Sequence, residues 1–343
     1  MQTLKLWLKS IWQLLQRENL DRLFLIIGTI LIVSAIGLFL LEPNLSLSDA
    51  LWWSIVTVTT VGYGDIAPVT IGGRLIATVN MFLGIGVLAT FSATLASILI
   101  DRKNKEELGM RSYNFENHII LCEWNARSRA ILKELRLDAQ TAKMPIVLIA
   151  NLDRKPLEDP NLFFIQGNVS DETLNRANLV KASTVIILGD DSLDDTARDA
   201  KVILSTLTIE SINSQVYTIV ELVNEGYIQT CKRAKADEII VSSELSSMLI
   251  SQATLNHGIT KVISDLLSSQ DGNQLYKIAI PPSKVGSSFV EVLIYMKEVY
   301  QSIVLGVQKG SEGEVISNPP ADYHLEDNDY LIIIGSEKPQ LLL

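Results

Sequence analysis

Five aspartates, Asp190, Asp191, Asp194, Asp195 and Asp199, crowd one short turn and the start of the helical pattern behind it. Carboxylate oxygens are hard ligands that suit a divalent cation such as Ca²⁺, and a cation relieves the repulsion between like charges held together. Glu221 ends a later apolar run and can share the same crevice. Asp190, Asp191, Asp194 and Glu221 are therefore the candidate metal ligands. The competing reading is a solvated acidic helix start, where aspartate also suits the helix dipole. A second constellation is Thr-Thr-Val-Gly-Tyr-Gly-Asp, residues 59 to 65. Other chemistries are poorly supplied. Cys122 and Cys231 are too few for a disulfide scaffold or a four-cysteine zinc site, and His118, His257 and His324 are scattered. A dinucleotide site needs G-x-G-x-x-G after the first strand. This chain has Glu123, Asn125 and Ser128 there, with Asn151 in place of the ribose-binding acid, so adenine dinucleotide is not expected.

The elements that carry these residues fall into two populations. The chain has 343 residues, is 48% hydrophobic and carries a formal net charge of −10, yet its mean hydropathy is +0.25. The length suggests two or three domains, and the apolar fraction excludes disorder. A pI near 4.9 argues against nucleic acid as a partner. The apolar residues concentrate in Leu23 to Leu41, 19 residues without a charge, and Ile76 to Ile100, 25 more. The first run spans about 28 Å as a helix, close to the thickness of a hydrocarbon core of about 30 Å. It is too long for a signal peptide, and no small-residue cleavage site follows it.

Basic residues set the expected orientation. Lys5, Lys9, Arg17 and Arg22 precede the first span; Arg102, Lys103, Lys105 and Arg111 follow the second; none lies between Glu42 and Gly73. Both termini should be cytoplasmic in a plasma-membrane protein. Leu4, Leu8, Ile11 and Leu15 share one helical face, which suits a helix on the inner membrane surface over residues 1–22. Between the spans, residues 45–70 begin as a short amphipathic helix, with Ser46 or Ser48 as N-cap, that is too short to cross. It runs into the Thr59–Asp65 segment. A re-entrant helix followed by extended backbone is tolerated at membrane depth only where it lines a water-filled path.

Thr60-Val61-Gly62-Tyr63-Gly64 resembles the selectivity filter of potassium channels. There a K⁺ ion exchanges its water for rings of inward-pointing carbonyls, and Gly62 and Gly64 can take backbone angles that a β-carbon resists. The resemblance implies an extra oxygen ring from Thr60, bracing of Tyr63 by Trp52 or Trp53, and a carboxylate ring of Asp65 at the outer mouth. One filter strand cannot surround an ion, so a homotetramer within membrane lipid follows. In this family the inner helix bends at a glycine. Gly84 is the closest match to that hinge, with Ala89 near the narrow part of the gate, although glycines here also permit close helix packing. Asn80, the one strongly polar side chain of the span, is expected to bond to a neighbouring helix.

Residues 101–117 are polar and read as a linker. Beyond them, short apolar runs at Ile119–Cys122, Ile146–Ala150, Phe163–Gln166, Val185–Leu188, Tyr217–Val220 and Glu238–Val241 alternate with helical patterns such as Arg127–Leu135 and Thr196–Ile212. This is the pattern of a parallel sheet covered on both faces. Residues 118–243 resemble the RCK (TrkA-N) domain, through His118-Ile-Ile-Leu-Cys122, Gly167-Asn168, Lys181-Ala182 and Ala234-Lys-Ala-Asp237. Residues 244–271 read as a connecting helical region, and 272–343 resemble the small α+β RCK C-terminal subdomain (TrkA-C), with strands at Ile303–Gln308 and Leu331–Ile334. With the pore at 23–100, the architecture resembles the calcium-gated channels of the MthK type. It is a helical membrane pore joined to a Rossmann-like α/β domain. In that family one Asp after the fourth strand and two Glu after the fifth bind Ca²⁺. Glu221 matches the first Glu, Val223 occupies the second position, and Gly189 or Asp190 aligns with the Asp. The resemblance implies a ligand-gated K⁺ channel, not an enzyme, sensing Ca²⁺ or another divalent cation. The alternatives are gating by a nucleotide, or an RCK-regulated transporter subunit, which would need four linked filters where one is present. A second translation start at Met110 would supply extra soluble RCK copies to a ring of paired domains.

Overall fold

A computed structural model describes residues 20–268, 272–311 and 313–339. Most of the interfacial helix expected over residues 1–22 therefore lies outside the described residues. The chain divides into two compact units, residues 1–105 and 106–343.

In the first unit, helix α1 (Leu20–Leu41) and helix α3 (Ile71–Glu107) are the two membrane-length helices, with peak mean hydropathies of 2.8 and 2.1. The short helix α2 (Leu47–Val58) sits between them in sequence. Ser46 caps it, its hydroxyl accepting from the Asp49 amide at 3.1 Å. Small residues let these helices approach. Ala35 and Leu38 of α1, Ala50 and Trp53 of α2, and Ala77 of α3 form one buried cluster. Across it the Ser34 hydroxyl donates to that of Ser54 at 2.8 Å, so two polar groups in apolar surroundings satisfy each other.

The second unit opens with a six-stranded parallel sheet. Its elements in chain order are β1 (His118–Cys122), α4 (Ala126–Leu137), β2 (Ile146–Ala150), β3 (Leu162–Gln166), α5 (Asp171–Arg176), β4 (Ala182–Ile187), α6 (Asp195–Ile212), β5 (Tyr217–Leu222), α7 (Ile228–Arg233) and β6 (Glu238–Val241). The strand order is β3-β2-β1-β4-β5-β6, so the topological switch lies between β1 and β4. Alternation along buried strands splits the core in two. Ile120, Cys122, Val147 and Ile149 face one side, and Ile119, Leu121, Ile146 and Leu148 face the other. Two helices follow, α8 (Ser242–Leu255) and α9 (Ile259–Leu267). The C-terminal part adds β7 (Gln274–Ala279), α10 (Phe289–Tyr300), β8 (Ile303–Gln308), β9 (Val315–Ser317) and β10 (Tyr330–Gly335). Its antiparallel sheet has the order β7-β10-β8-β9, and Val292 and Met296 of α10 pack with Leu331 and Ile333 of β10.

The stretch 101–117 departs from the sequence reading. It is not a separate linker. Residues 101–107 prolong α3, because Asp-Arg-Lys-Asn-Lys-Glu-Glu contains no helix breaker and Lys105 pairs with Asp101 at 2.6 Å. Polar composition alone does not distinguish a helix leaving a membrane from a loop. The remainder is fastened to the second unit. The Lys155 amide donates to the Glu107 carbonyl at 2.8 Å, that of Gln166 to Gly109 at 3.1 Å, and that of Tyr113 to Arg176 at 2.8 Å. The Arg176 guanidinium also donates to the Gly109 carbonyl, and Asn178 to that of Phe115 at 2.8 Å. Tyr113, Phe115 and Phe163 stack with centroids 4.4 to 5.7 Å apart. Gly109 has φ +63°, and a β-carbon there would strike the Gln166 amide and the Phe164 ring. Gly109→Ala should therefore lower the stability of the second unit by about 1–3 kcal/mol, read as an earlier midpoint in chemical denaturation of the full-length protein.

Candidate ion pathway and ligand crevice

The loop after α2 has an alternating backbone. Thr60, Gly62 and Gly64 lie at φ +63°, +58° and +75°, while Val61 and Tyr63 do not share the left-handed region. Alternation of this kind turns successive carbonyls towards one side. The amides are held elsewhere. Thr60 N–H donates to the Thr57 carbonyl at 3.0 Å, and Val61 and Gly62 donate to that of Val56 at 3.0 and 3.3 Å. No carbonyl from Thr60 to Gly64 accepts a hydrogen bond among the described residues. The loop thus presents a row of uncommitted acceptors, the arrangement that replaces a cation's water shell. A left-handed threonine costs about 1–3 kcal/mol, and this strain at Thr60 was not foreseen from the glycine pattern.

Side chains brace this loop from one side. Tyr63 stacks on Trp52, with centroids 6.1 Å apart and planes 8° from parallel. The Trp52 indole N–H donates to an Asp65 carboxylate oxygen at 2.9 Å. Of the two tryptophans proposed as braces, Trp52 takes that role; Trp53 is buried in the helix cluster. Sequence reasoning missed Glu42. Its Oε1 accepts from the Val69 and Thr70 amides and the Thr70 hydroxyl, each at 2.9 Å, and so ties the end of α1 to the start of α3. The available signal was a single carboxylate closing an apolar run. Helix α3 continues unbroken through Gly84 and Gly86. A β-carbon on Gly84 would lie 3.0 Å from Val58 Cα, so this glycine gives the close approach of α3 to the end of α2; nothing lies within 4 Å of such an atom on Gly86. Ala89 is exposed on α3.

The carboxylates after β4 do not gather around one point. Lys201 of α6 bridges Asp190 and Glu123, with Nζ 2.8 Å from each. Arg127 of α4 bridges Asp191 at 2.6 Å and Glu221 at 2.8 Å. Arg198 approaches Asp191 and Asp195 at 3.7 and 3.8 Å. Asp194 caps α6, accepting from the Thr196 and Ala197 amides at 3.1 Å. Asp199 is fully buried and accepts from the Val223 and Asn224 amides, both at 2.9 Å, which fixes the loop after β5. The metal cluster expected from Asp190, Asp191, Asp194 and Glu221 is thus not formed. Among the described residues no group of three or more His, Cys, Asp or Glu is placed to hold a metal. The physical reason is ion pairing. Three cations from two helices reach the crevice and hold apart acids that look unpaired in sequence.

The switch-point crevice beside them is filled. Glu123 leaves β1 at φ +81°, and the cavity among Cys122, Glu123, Gly167, Asn168 and Lys201 is about 10 Å³, room for no more than one water. Burial pushes the Cys122 thiol up to about 12 and that of Cys231 up to about 11, so both are protonated at neutral pH. Burial tends to raise the Asp190 pKa, but hydrogen bonds from Lys201 and Ser192 outweigh it and hold the carboxyl at about 2.

Two membrane-length helices framing a carbonyl-lined loop, followed by a doubly wound sheet with its switch-point crevice, define an ion-channel pore joined to a regulatory domain. Comparison with known proteins agrees. Residues 24–101 match the ion channel family, 114–220 the calcium-activated potassium channel slowpoke-like RCK domain, and 243–341 a family described as Castor and Pollux, part of voltage-gated ion channel. The chain is 31% identical to the putative potassium channel protein YugO of Bacillus subtilis over 91% of this chain and 96% of that one. It is 29% identical to the calcium-gated potassium channel TvoK of Thermoplasma volcanium over 97% of both. Its fold resembles the human SLO3 gating ring, with a TM-score of 0.55 and 19% identity over 65% of this chain and 48% of that one. The chain belongs to the family of potassium channels that carry RCK domains; it is a membrane channel protein and not an enzyme.

Two outcomes follow. Trp52→Phe keeps the stack on Tyr63 but removes the donor to Asp65; the K⁺ current should decay faster during sustained opening, as read in planar bilayers. Asp190, with its pKa depressed, contributes stability that is complete above about pH 4 and lost as the pH falls through about 2. Lys201→Met removes the main partner, so acid unfolding of the full chain, followed by circular dichroism, should begin at higher pH than in the wild type.

Proposed function

We propose that four copies of this chain surround one K⁺ pathway, with the carbonyls of Thr60, Val61, Gly62, Tyr63 and Gly64 and the Thr60 hydroxyl as ion ligands. The observation that carries this reading is the alternation of left-handed Thr60, Gly62 and Gly64 in a loop whose Thr60, Val61 and Gly62 amides are tied back to α2, leaving the carbonyls free. A single chain offers one row of oxygens, and an ion stripped of water needs rings of them. Asp65 forms the outer carboxylate ring. Gly84 and Ala89 lie where the inner helix gates the cytoplasmic mouth. Both termini face the cytoplasm of a plasma-membrane channel, in keeping with Arg102, Lys103, Lys105 and Arg111 after the second span.

The second unit gates this pore on binding a small ligand. A calcium-gated relative supports Ca²⁺ or a similar divalent cation as that ligand. The cation would have to displace Arg127 or Lys201 from Asp190, Asp191 or Glu221, so binding and rearrangement of these ion pairs would be one event. The filled switch-point crevice favours this over a nucleotide. Soluble RCK copies started at Met110 would complete a ring of paired domains. Moving such an equilibrium from 1:99 to 99:1 takes about a 10⁴-fold preference for the open state, which several weak sites can share. The test is single-channel recording of the purified protein in bilayers under a K⁺ gradient, with Ca²⁺ titrated on the cytoplasmic side. Open probability should rise with Ca²⁺ in wild type, and the response should weaken in Asp190→Asn/Glu221→Gln. A wild-type channel indifferent to Ca²⁺ refutes calcium gating, and absence of K⁺-selective current refutes the pore assignment.

A further inference from the structure

Glu210 stands in the last turn of α6, at the negative end of the helix dipole, where a carboxylate is disfavoured. No basic side chain of that turn offsets it. Its Oε1 lies 3.2 Å from the Thr218 hydroxyl on β5. The same hydroxyl lies 3.1 Å from Oδ2 of Asp237, the residue before β6, and accepts from the Asp237 amide at 3.2 Å. That Oδ2 also accepts from the Thr218 amide at 2.6 Å. Thr218 is fully buried, and Glu210 is half-buried with access to water. A hydroxyl carries one proton and accepts through two lone pairs. It can donate to one of these two carboxylate oxygens and not to both. The hydrogen-bond count closes when Glu210 keeps its proton. The Glu210 carboxyl then donates to Thr218 Oγ1, the Thr218 hydroxyl donates to Asp237, and both lone pairs of Oγ1 are used. With Glu210 ionised, one of the two oxygen–oxygen contacts has no proton in it.

We propose that Glu210, Thr218 and Asp237 form a pH-operated latch, a carboxylic acid and a carboxylate joined through one hydroxyl, which ties the end of α6 to β5 and β6 and opens when Glu210 loses its proton to solvent. Burial, the largest influence, raises the Glu210 carboxyl above the ordinary glutamate range, and the Asp237 charge adds to it. Lys235, from the same turn as Asp237, acts the other way. Tyr217 and Glu238, next to Thr218 and Asp237 in the chain, are bonded to each other at 2.6 Å. The folded chain thus holds this proton more tightly than the unfolded chain does. The stabilisation is complete below the unfolded glutamate value of 4.5 and is lost as the pH rises through the raised folded value. The latch sits at two joints of the regulatory unit. β6 runs directly into α8 at Ser242. At its other end α6 carries Arg198 and Lys201 into the carboxylate crevice. Release of the latch therefore loosens the helix that presents those cations.

The test uses the full-length channel in detergent micelles with EDTA, so that no divalent cation takes the place of the proton. Hydrogen–deuterium exchange of residues 205–222 and 234–241, corrected for the intrinsic pH dependence of exchange, is followed from about pH 4.5 to about pH 8. Wild type should exchange about threefold or more faster at the upper end. Glu210→Gln, whose amide donates to Thr218 as the acid does, should stay protected throughout. The infrared difference between wild type and Glu210→Gln should show a carboxylic-acid C=O band that disappears with the same midpoint. Asp237→Asn removes the neighbouring charge and should move the midpoint to lower pH. Wild-type protection that does not change with pH, a pH dependence retained in Glu210→Gln, or a midpoint unmoved by Asp237→Asn overturns the proposal. The wild-type and Asp237→Asn midpoints decide the matter even if Glu210→Gln fails to fold.

Discussion

Backbone polar groups at membrane depth must find partners, and the pore unit is arranged around that requirement. A helix meets it within itself, which accounts for α1, α2 and α3. The loop after α2 cannot. The amides of Thr60, Val61 and Gly62 are satisfied by the last turn of α2, and no carbonyl from Thr60 to Gly64 accepts a hydrogen bond among the described residues. Free carbonyls would be a penalty in lipid, and under the proposed reading they are the ligands of the ion. The surrounding contacts serve to hold that strained loop. Trp52 supports Tyr63 and Asp65 from α2, Glu42 fastens the return of the chain into α3, and Gly84 lets α3 press against the end of α2.

The regulatory unit answers a different constraint. Like-charged carboxylates at the end of a parallel sheet repel unless cations reach them. Here Lys201 and Arg127 each span two acids from different elements. Each of these acids is therefore already paired with a tethered cation, and a divalent ligand would compete with ammonium and guanidinium groups. Asp199, which looked like one more member of the acidic cluster, instead positions the loop that follows Glu221.

The two units meet in sequence at the end of α3, and the chain there is not slack. Residues 107–115 are tied to β3, α5 and their flanking loops by backbone hydrogen bonds, an arginine and an aromatic stack. A β-carbon on Gly86 would meet nothing within 4 Å, so that turn of α3 is not packed at this position.

Much of this was legible from the residues in order. The two spans, the short helix, the glycine-bearing loop and the alternation of strands and helices depend on local periodicity and on backbone demands a few residues apart. Ile146–Ala150, Glu238–Val241 and Ile303–Gln308 were located to the residue and five other strands to within a few, while β7 and β9 were not read from the sequence. What the sequence could not determine is which charges meet. Lys201 and Glu123 stand 78 positions apart, and Arg127 and Asp191 stand 64 apart. Their pairing follows from β1 lying beside β4, which brings α4 and α6 to one crevice. The same holds for Asn80, which is buried without a hydrogen-bond partner in the chain once α1 and α3 are packed. Local pattern determined the elements and the ion pathway. The tertiary structure decided the partners of each buried or charged side chain, because an ion pair or an unmet hydrogen bond is a relation between elements distant in the chain.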